Sequence, residues 1–209
     1  MTVSGDSWRR IWTELGAHTI DGGVFNQLVA AYSERHRHYH TLQHLRECLA
    51  HCEAAASLAR RPAEVELALW FHDAVYDPHR ADNEERSAEW AWRSILAAGC
   101  AEDVAQRVQS LVLATRDHEA ASGDADTQLL LDIDLAILGA APARFAEYGN
   151  QIRAEYAHVP EADYRKGRAQ VLSGFLARPR IYATAPFHDA LEHRARENLA
   201  GALAVLAAG

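Results

Sequence analysis

Two residue types suited to hold a metal ion stand side by side where the local pattern reads as core. The stretch Trp70-Phe71-His72-Asp73-Ala74-Val75-Tyr76-Asp77 runs from apolar residues straight into a His-Asp pair, and a second carboxylate, Asp77, follows four residues after the first. An ionised Asp among buried residues needs a partner, because stripping its water is costly. A cation shared with the imidazole meets that need, and a nitrogen–oxygen donor pair suits Mn²⁺, Fe, Ni²⁺ or Zn²⁺. A core histidine hydrogen-bonded to its neighbouring carboxylate is the plainer account of the same two residues. Further donors must therefore decide between them.

A metal site draws its ligands from several elements, and two other segments offer some. Upstream, Arg37-His38-Tyr39-His40-Thr41-Leu42-Gln43-His44-Leu45 carries His40 and His44 one helical turn apart. Downstream, the apolar run Leu129–Leu138 holds two carboxylates, Asp132 and Asp134. Either could instead cap a helix, but the apolar run is deep on both sides. His44, Cys48 and Cys52 suggest a competing zinc site on successive turns. Three such positions span about 12 Å of helix, too far for one ion, so Cys48 and Cys52 are expected to pack as small apolar residues.

The elements that must position these groups all read as helices. Apolar residues recur at helical spacing over 7–17, 24–32, 42–58, 84–98, 101–115, 126–138, 143–158, 161–177 and 186–207. Gly22-Gly23 reads as a break between the first two, and Thr41 as an N-cap of the third. Pro62 opens the helix that leads to His72, with His72 and Asp73 on its last buried turn and Asp77 one turn further on the same side as Asp73. Gly99 and Gly139 read as stops, and 77–83 and 117–125 as polar loops. No alternating strand pattern, repeat or linker appears, so residues 1–209 are read as one all-α domain.

Composition narrows the function. The net charge of −8 argues against stable nucleic-acid binding, since a phosphate backbone calls for a basic face. No apolar run approaches the roughly 18 residues of a membrane span, and residues 1–10 lack an apolar signal core. Three cysteines, an odd number, form no disulfide framework. A cytoplasmic protein is expected. Twelve histidines are many for this length, and seven of them lie between His36 and His79.

His44, then His72-Asp73, then Asp134 form an ordered set that resembles the HD superfamily of metal-dependent phosphohydrolases. The segments 37–44, Phe71-His72-Asp73-Ala74-Val75-Tyr76 and Asp82-Asn83-Glu84-Glu85-Arg86-Ser87-Ala88 are similar to a bacterial branch known mostly as predicted phosphohydrolases of unassigned substrate. Leu131-Asp132-Ile133-Asp134-Leu135 and Arg180-Ile181-Tyr182 extend the resemblance over most of the chain. It implies an HD-type helical bundle with a core of about residues 38–140 and flanking helices at both ends. It also implies His44, His72, Asp73 and Asp134 as ligands of a divalent ion (Mn, Fe, Ni, Mg or Zn).

Such a ligand set leaves open positions for an activated water and a phosphoryl oxygen. Asp73 is then expected to bridge a metal or position the water, with Asp77 and Glu85 as candidates for proton transfer. His40, His118, Asp132 and Arg37 are candidates for a second ion or for the substrate phosphate, and Arg116 and Arg153 for phosphate contact. The expected activity is hydrolysis of a phosphoester in a small molecule such as a nucleotide, by a protein free to form a homodimer. The alternative is a non-catalytic module that binds metal and nucleotide without turnover.

Overall fold

The computed structural model describes residues 3–121 and 123–208. Met1 and Thr2, in the stretch read as lacking a signal core, and Ser122, in the expected polar loop 117–125, lie outside the described residues, as does Gly209. Among the described residues there are ten α-helices and no strand, so the protein is all-α. None of these helices is long and apolar enough to cross a membrane. The chain forms two compact units, Met1–Ile133 and Asp134–Gly209.

The first unit is built on α4 (Pro62–Phe71). Every residue of this helix from Ala63 to Phe71 is buried. A helix with no polar face must be covered on all sides, and here α1 (Gly5–Glu14), α3 (Leu42–Ala54), α5 (Asn83–Ala97) and α6 (Glu102–Ala114) cover it. The two acidic residues caught in it are both neutralised. Arg107 donates to both oxygens of Glu64 at 2.8 and 2.7 Å, and Arg10 pairs with Glu66. Trp8 and Trp70 meet edge-on at 5.1 Å between ring centroids, and Phe25 leans on both. These aromatic rings anchor α1 and α2 (Gly22–Ala31) against α4.

Helix ends explain the departures from the sequence-based boundaries. Gly22-Gly23 does not break a helix but opens α2, because the Asp21 carboxylate accepts a hydrogen bond from Gly23 N at 2.7 Å and caps it. Thr41 caps α3 as expected, its hydroxyl accepting from Gln43 N. That helix ends at Ala54, and the expected continuation to Leu58 is a separate 3-10 turn, Ala56–Leu58. Gly99 follows α5 with φ of 78°, a left-handed conformation suited to glycine. Helix α7 (Ala125–Asp134) tightens directly into a 3-10 segment, Leu135–Gly139, instead of continuing as α-helix to Leu138.

The second unit contains that 3-10 segment with α8 (Pro142–Glu155), α9 (Glu161–Ala177) and α10 (Ala185–Ala208). Its polar contacts fasten α10 to backbone that has no helical partner. Asn198 donates to the carbonyls of Leu138 and Ala140, and Arg194 to that of Gly139. The Glu192 carboxylate accepts from the amides of Ile181 and Tyr182, and Tyr182 Oη donates to the carbonyl of Leu135 at 3.0 Å. Buried backbone groups are thereby paired where no regular element pairs them.

Candidate metal centre

Helix α4 ends at Phe71, and His72 is the residue that caps it. Its Nδ1 lies 2.8 Å from the carbonyl oxygen of Leu69. A carbonyl can only accept, so Nδ1 carries the proton and Nε2 of the neutral ring presents a lone pair. That Nε2 stands 3.1 Å from Nε2 of His44 and 2.9 Å from Oδ2 of Asp73. His44 and His72 are each only 2 % exposed. Three electron-rich atoms crowded together in a buried place require either an extra proton or a cation among them.

A wider donor set favours the cation. His44, Cys48, His72 and Asp134 each supply one donor atom, and these four atoms lie within 4.8 Å of one another. His44 and Cys48 come from one face of α3, one turn apart. His72 comes from the end of α4, and Asp134 is the last residue of α7. Two imidazole nitrogens, a sulfur and a carboxylate oxygen fit a divalent transition ion by type and by number.

Asp73 is not one of these four but stands beside the two histidines: its Oδ2 is also 3.4 Å from His44 Nε2. Burial pushes the Asp73 carboxyl up. In the metal-free protein, where an extra proton on the histidine rings takes the place of the cation, the charges of His72 and His40 and the hydrogen bonds from His44 and His72 outweigh that and hold it well below the usual carboxylate range. The residue sits in the turn after α4, and Arg37 fixes the backbone there. The buried Arg37 guanidinium donates to the carbonyls of Asp73 (2.6 Å), Ala74 (3.0 Å) and His40 (3.2 Å), and to Glu34. It also lies over the rings of Tyr32 and Tyr76. Arg37 therefore holds the chain around the site together, and its donors are turned to the protein and not outward to a phosphate.

His40 is half-buried, stacks on Tyr76 at 4.0 Å between centroids and lies 6.1 Å from the ring of His44, so it lines the approach. Glu84, which the sequence does not single out, is also half-buried: burial, then the charges of Asp73 and Glu85, push its carboxyl up, while His118 pulls it down. Those interactions put Glu84 within electrostatic reach of both Asp73 and His118. His118 has φ of 51°, unusual for a residue with a side chain, and its amide closes the end of α6 on the carbonyl of Ala114. Glu85 binds Arg116 at 2.8 Å through Oε1, while its Oε2 is buried without a hydrogen-bond partner among the described residues.

Asp77 is not one helical turn beyond Asp73, because the helix stops before both. It sits in a loop, where its Oδ1 caps His79 N and its own amide donates to Asn83. Asp132 is buried in α7 and is not among the four clustered donors. Arg153 donates to Glu161 and to the carbonyls of Tyr156 and Val159.

Cys48 is buried, as the sequence suggests for a small apolar residue, and it also joins the group of atoms that could hold an ion. Helix length does exclude Cys52, a turn further on, where burial pushes the thiol up to about 12. It does not exclude the His44–Cys48 pair, whose i, i+4 spacing puts both on one face. That spacing is the signal for Cys48, and it is hidden when His44, Cys48 and Cys52 are taken as a single run. No known protein family, curated protein or solved structure matches this chain.

Proposed function

We propose that the protein is a metal-dependent phosphohydrolase that cleaves a phosphoester bond in a small molecule such as a nucleotide. The observation that carries this reading is the convergence of His44, His72 and Asp134 from three helices onto one buried point, with the Asp73 carboxylate beside it. A divalent ion bound there supplies an acidified water and charge stabilisation for a phosphoryl group. The protein's part is to hold the donors in place. The Leu69 carbonyl keeps His72 in the tautomer whose Nε2 faces the site, and Arg37 fixes the turn that carries Asp73.

The depressed Asp73 carboxyl is ionised at neutral pH and accepts hydrogen bonds, which suits it to orient an attacking water. Proton delivery to the leaving oxygen needs a second acid. Glu84, pushed up by burial, and Glu85, whose buried Oε2 has no hydrogen-bond partner among the described residues, both supply a carboxyl near Asp73 or on the same helical turn. No serine or cysteine nucleophile is required.

The test begins with metal analysis of protein purified in chelator-free buffer. Hydrolysis of an aryl phosphate and of a nucleotide panel is then assayed with Mn²⁺, Co²⁺, Zn²⁺ or Mg²⁺ added. The expected result is bound transition metal and turnover that His72→Ala and Asp73→Ala abolish. Retention of both metal and activity in those variants would overturn the site. Metal without turnover on any phosphoester would support the binding module instead.

A further inference from the structure

Cys48 belongs to no part of the ligand pattern inferred from the sequence, yet it is 2 % exposed and turned toward the histidine cluster. Its Sγ lies 3.7 Å from both ring nitrogens of His44. Ligand geometry gives that distance a meaning. With metal–sulfur and metal–nitrogen bonds of about 2.3 and 2.05 Å, a tetrahedral ion holds sulfur and nitrogen about 3.6 Å apart, and two nitrogens about 3.3 Å apart. At a right angle the two nitrogens close to about 2.9 Å. The separations from His44 Nε2, 3.7 Å to Cys48 Sγ and 3.1 Å to His72 Nε2, lie close to those of neighbours on one ion; Sγ is equally near Nδ1 and has to swing away from that nitrogen to share an ion with Nε2.

We infer that Cys48 Sγ binds the metal directly, together with His44, His72 and Asp134. The site then takes a borderline-soft divalent ion such as Zn²⁺, Co²⁺ or Fe²⁺ in preference to Mg²⁺ or Mn²⁺. This rests on the metal centre proposed above and specifies its ion. A thiolate selects such ions because polarisable sulfur bonds poorly to hard cations, which prefer oxygen. On binding, the thiol gives its proton to solvent and the sulfur lone pair forms the new bond; nothing is oxidised or reduced. Neither other cysteine can take this role: Cys52 and Cys100 are both buried and stand outside the cluster.

Cobalt reports sulfur ligation by its spectrum. Metal-free protein is titrated with Co²⁺ and read in the visible and near-ultraviolet. The expected spectrum has visible ligand-field bands and a near-ultraviolet sulfur-to-cobalt band, at one ion per chain. Cys48→Ser is expected to keep the visible bands, lose the near-ultraviolet one and weaken Zn²⁺ binding by at least the roughly 10- to 100-fold that loss of an outer-shell partner costs, with little change for Mn²⁺. A Cys52→Ser/Cys100→Ser double variant leaves Cys48 as the sole thiol and should keep the sulfur band, which decides the matter even if Cys48→Ser fails to fold. Visible bands without the sulfur band in the wild type or in the double variant would overturn the role of Cys48 and leave the metal centre standing. Absence of any Co²⁺ or Zn²⁺ binding would overturn both.

Discussion

Arg37 Nη1 lies 2.6 Å from the carbonyl oxygen of Asp73, so a buried cation from the segment before α3 grips the backbone of the turn after α4. The same guanidinium reaches the carbonyls of Ala74 and His40. One side chain thus ties the first histidine segment to the His-Asp turn. His36 adds a second tie, its Nε2 donating to the carbonyl of Tyr76 at 2.8 Å.

Removing the Arg37 clamp should cost stability and metal affinity together. Arg37→Ala orphans buried carbonyls, and hydrogen bonds to a charged donor are each worth more than neutral ones, so a loss of about 2–3 kcal/mol is expected. Lysine has one point charge in place of a planar fork and cannot span three carbonyls, so Arg37→Lys should recover less than half of that. Zn²⁺ affinity should fall by roughly 10- to 100-fold, as for other residues that orient ligands without touching the ion. Urea unfolding and a zinc titration of the two variants check this. Unchanged stability in Arg37→Ala would show that the clamp carries no load.

Asp73 should write its depressed carboxyl into the acid stability of the metal-free protein. Burial raises the group, but His72, His40 and the hydrogen bonds from His44 and His72 bring it well below its ordinary value. An unfolded Asp titrates near about 3.9, so the folded state binds the proton less tightly than the unfolded one. The resulting stability is fully present above the unfolded value and is lost as pH falls toward and through the folded value. Wild type and Asp73→Asn, compared by urea midpoint from neutral pH downward, should differ by a constant amount above about pH 5 and converge below it. A difference that stays constant over the whole range would mean that the carboxylate is not held down by the histidines.

The candidate ligands are legible because they violate their surroundings. His72, Asp73 and Asp134 are polar groups in apolar runs, and a polar residue where the pattern demands a leucine announces itself in one dimension. The helices were legible for the complementary reason: α9 spans Glu161–Ala177, as its periodicity predicts, and α4 shows no polar face. Roles that depend on direction were not legible. Arg37 looked like a phosphate ligand because arginine has that chemistry, but only the fold shows its fork turned inward onto carbonyls. Asp77 looked like a turn-mate of Asp73 because spacing assumes an unbroken helix, and the chain leaves the helix at His72. Cys48 reads as apolar because a buried thiol has the same local sequence whether or not its sulfur faces other donor atoms.

Gly139 makes the same point about packing, and it supports a prediction independent of any metal. Its position invites a reading as a helix stop, yet its φ is not among the positive ones. What it supplies is space. A Cβ at this position would lie 2.6 Å from the Cβ of Leu191 on α10, 2.9 Å from the backbone oxygen of Leu191 and 3.0 Å from Tyr182 Oη. Gly139→Ala should therefore destabilise the protein by about 1–3 kcal/mol through overpacking, which lowers the melting temperature of a chain this size by roughly 2–4 °C per kcal/mol. Trimming Leu191 to Ala should not relieve the clash, because the atoms in the way are the Cβ and the backbone itself. At Gly149, within α8, an added Cβ would meet nothing within 4 Å, so Gly149→Ala should stabilise by about 0.5–1 kcal/mol through the loss of glycine's freedom in the unfolded chain. Thermal unfolding of the two single variants should thus move in opposite directions. A neutral or stabilising Gly139→Ala would show that α10 stands further from the 3-10 segment than these contacts require.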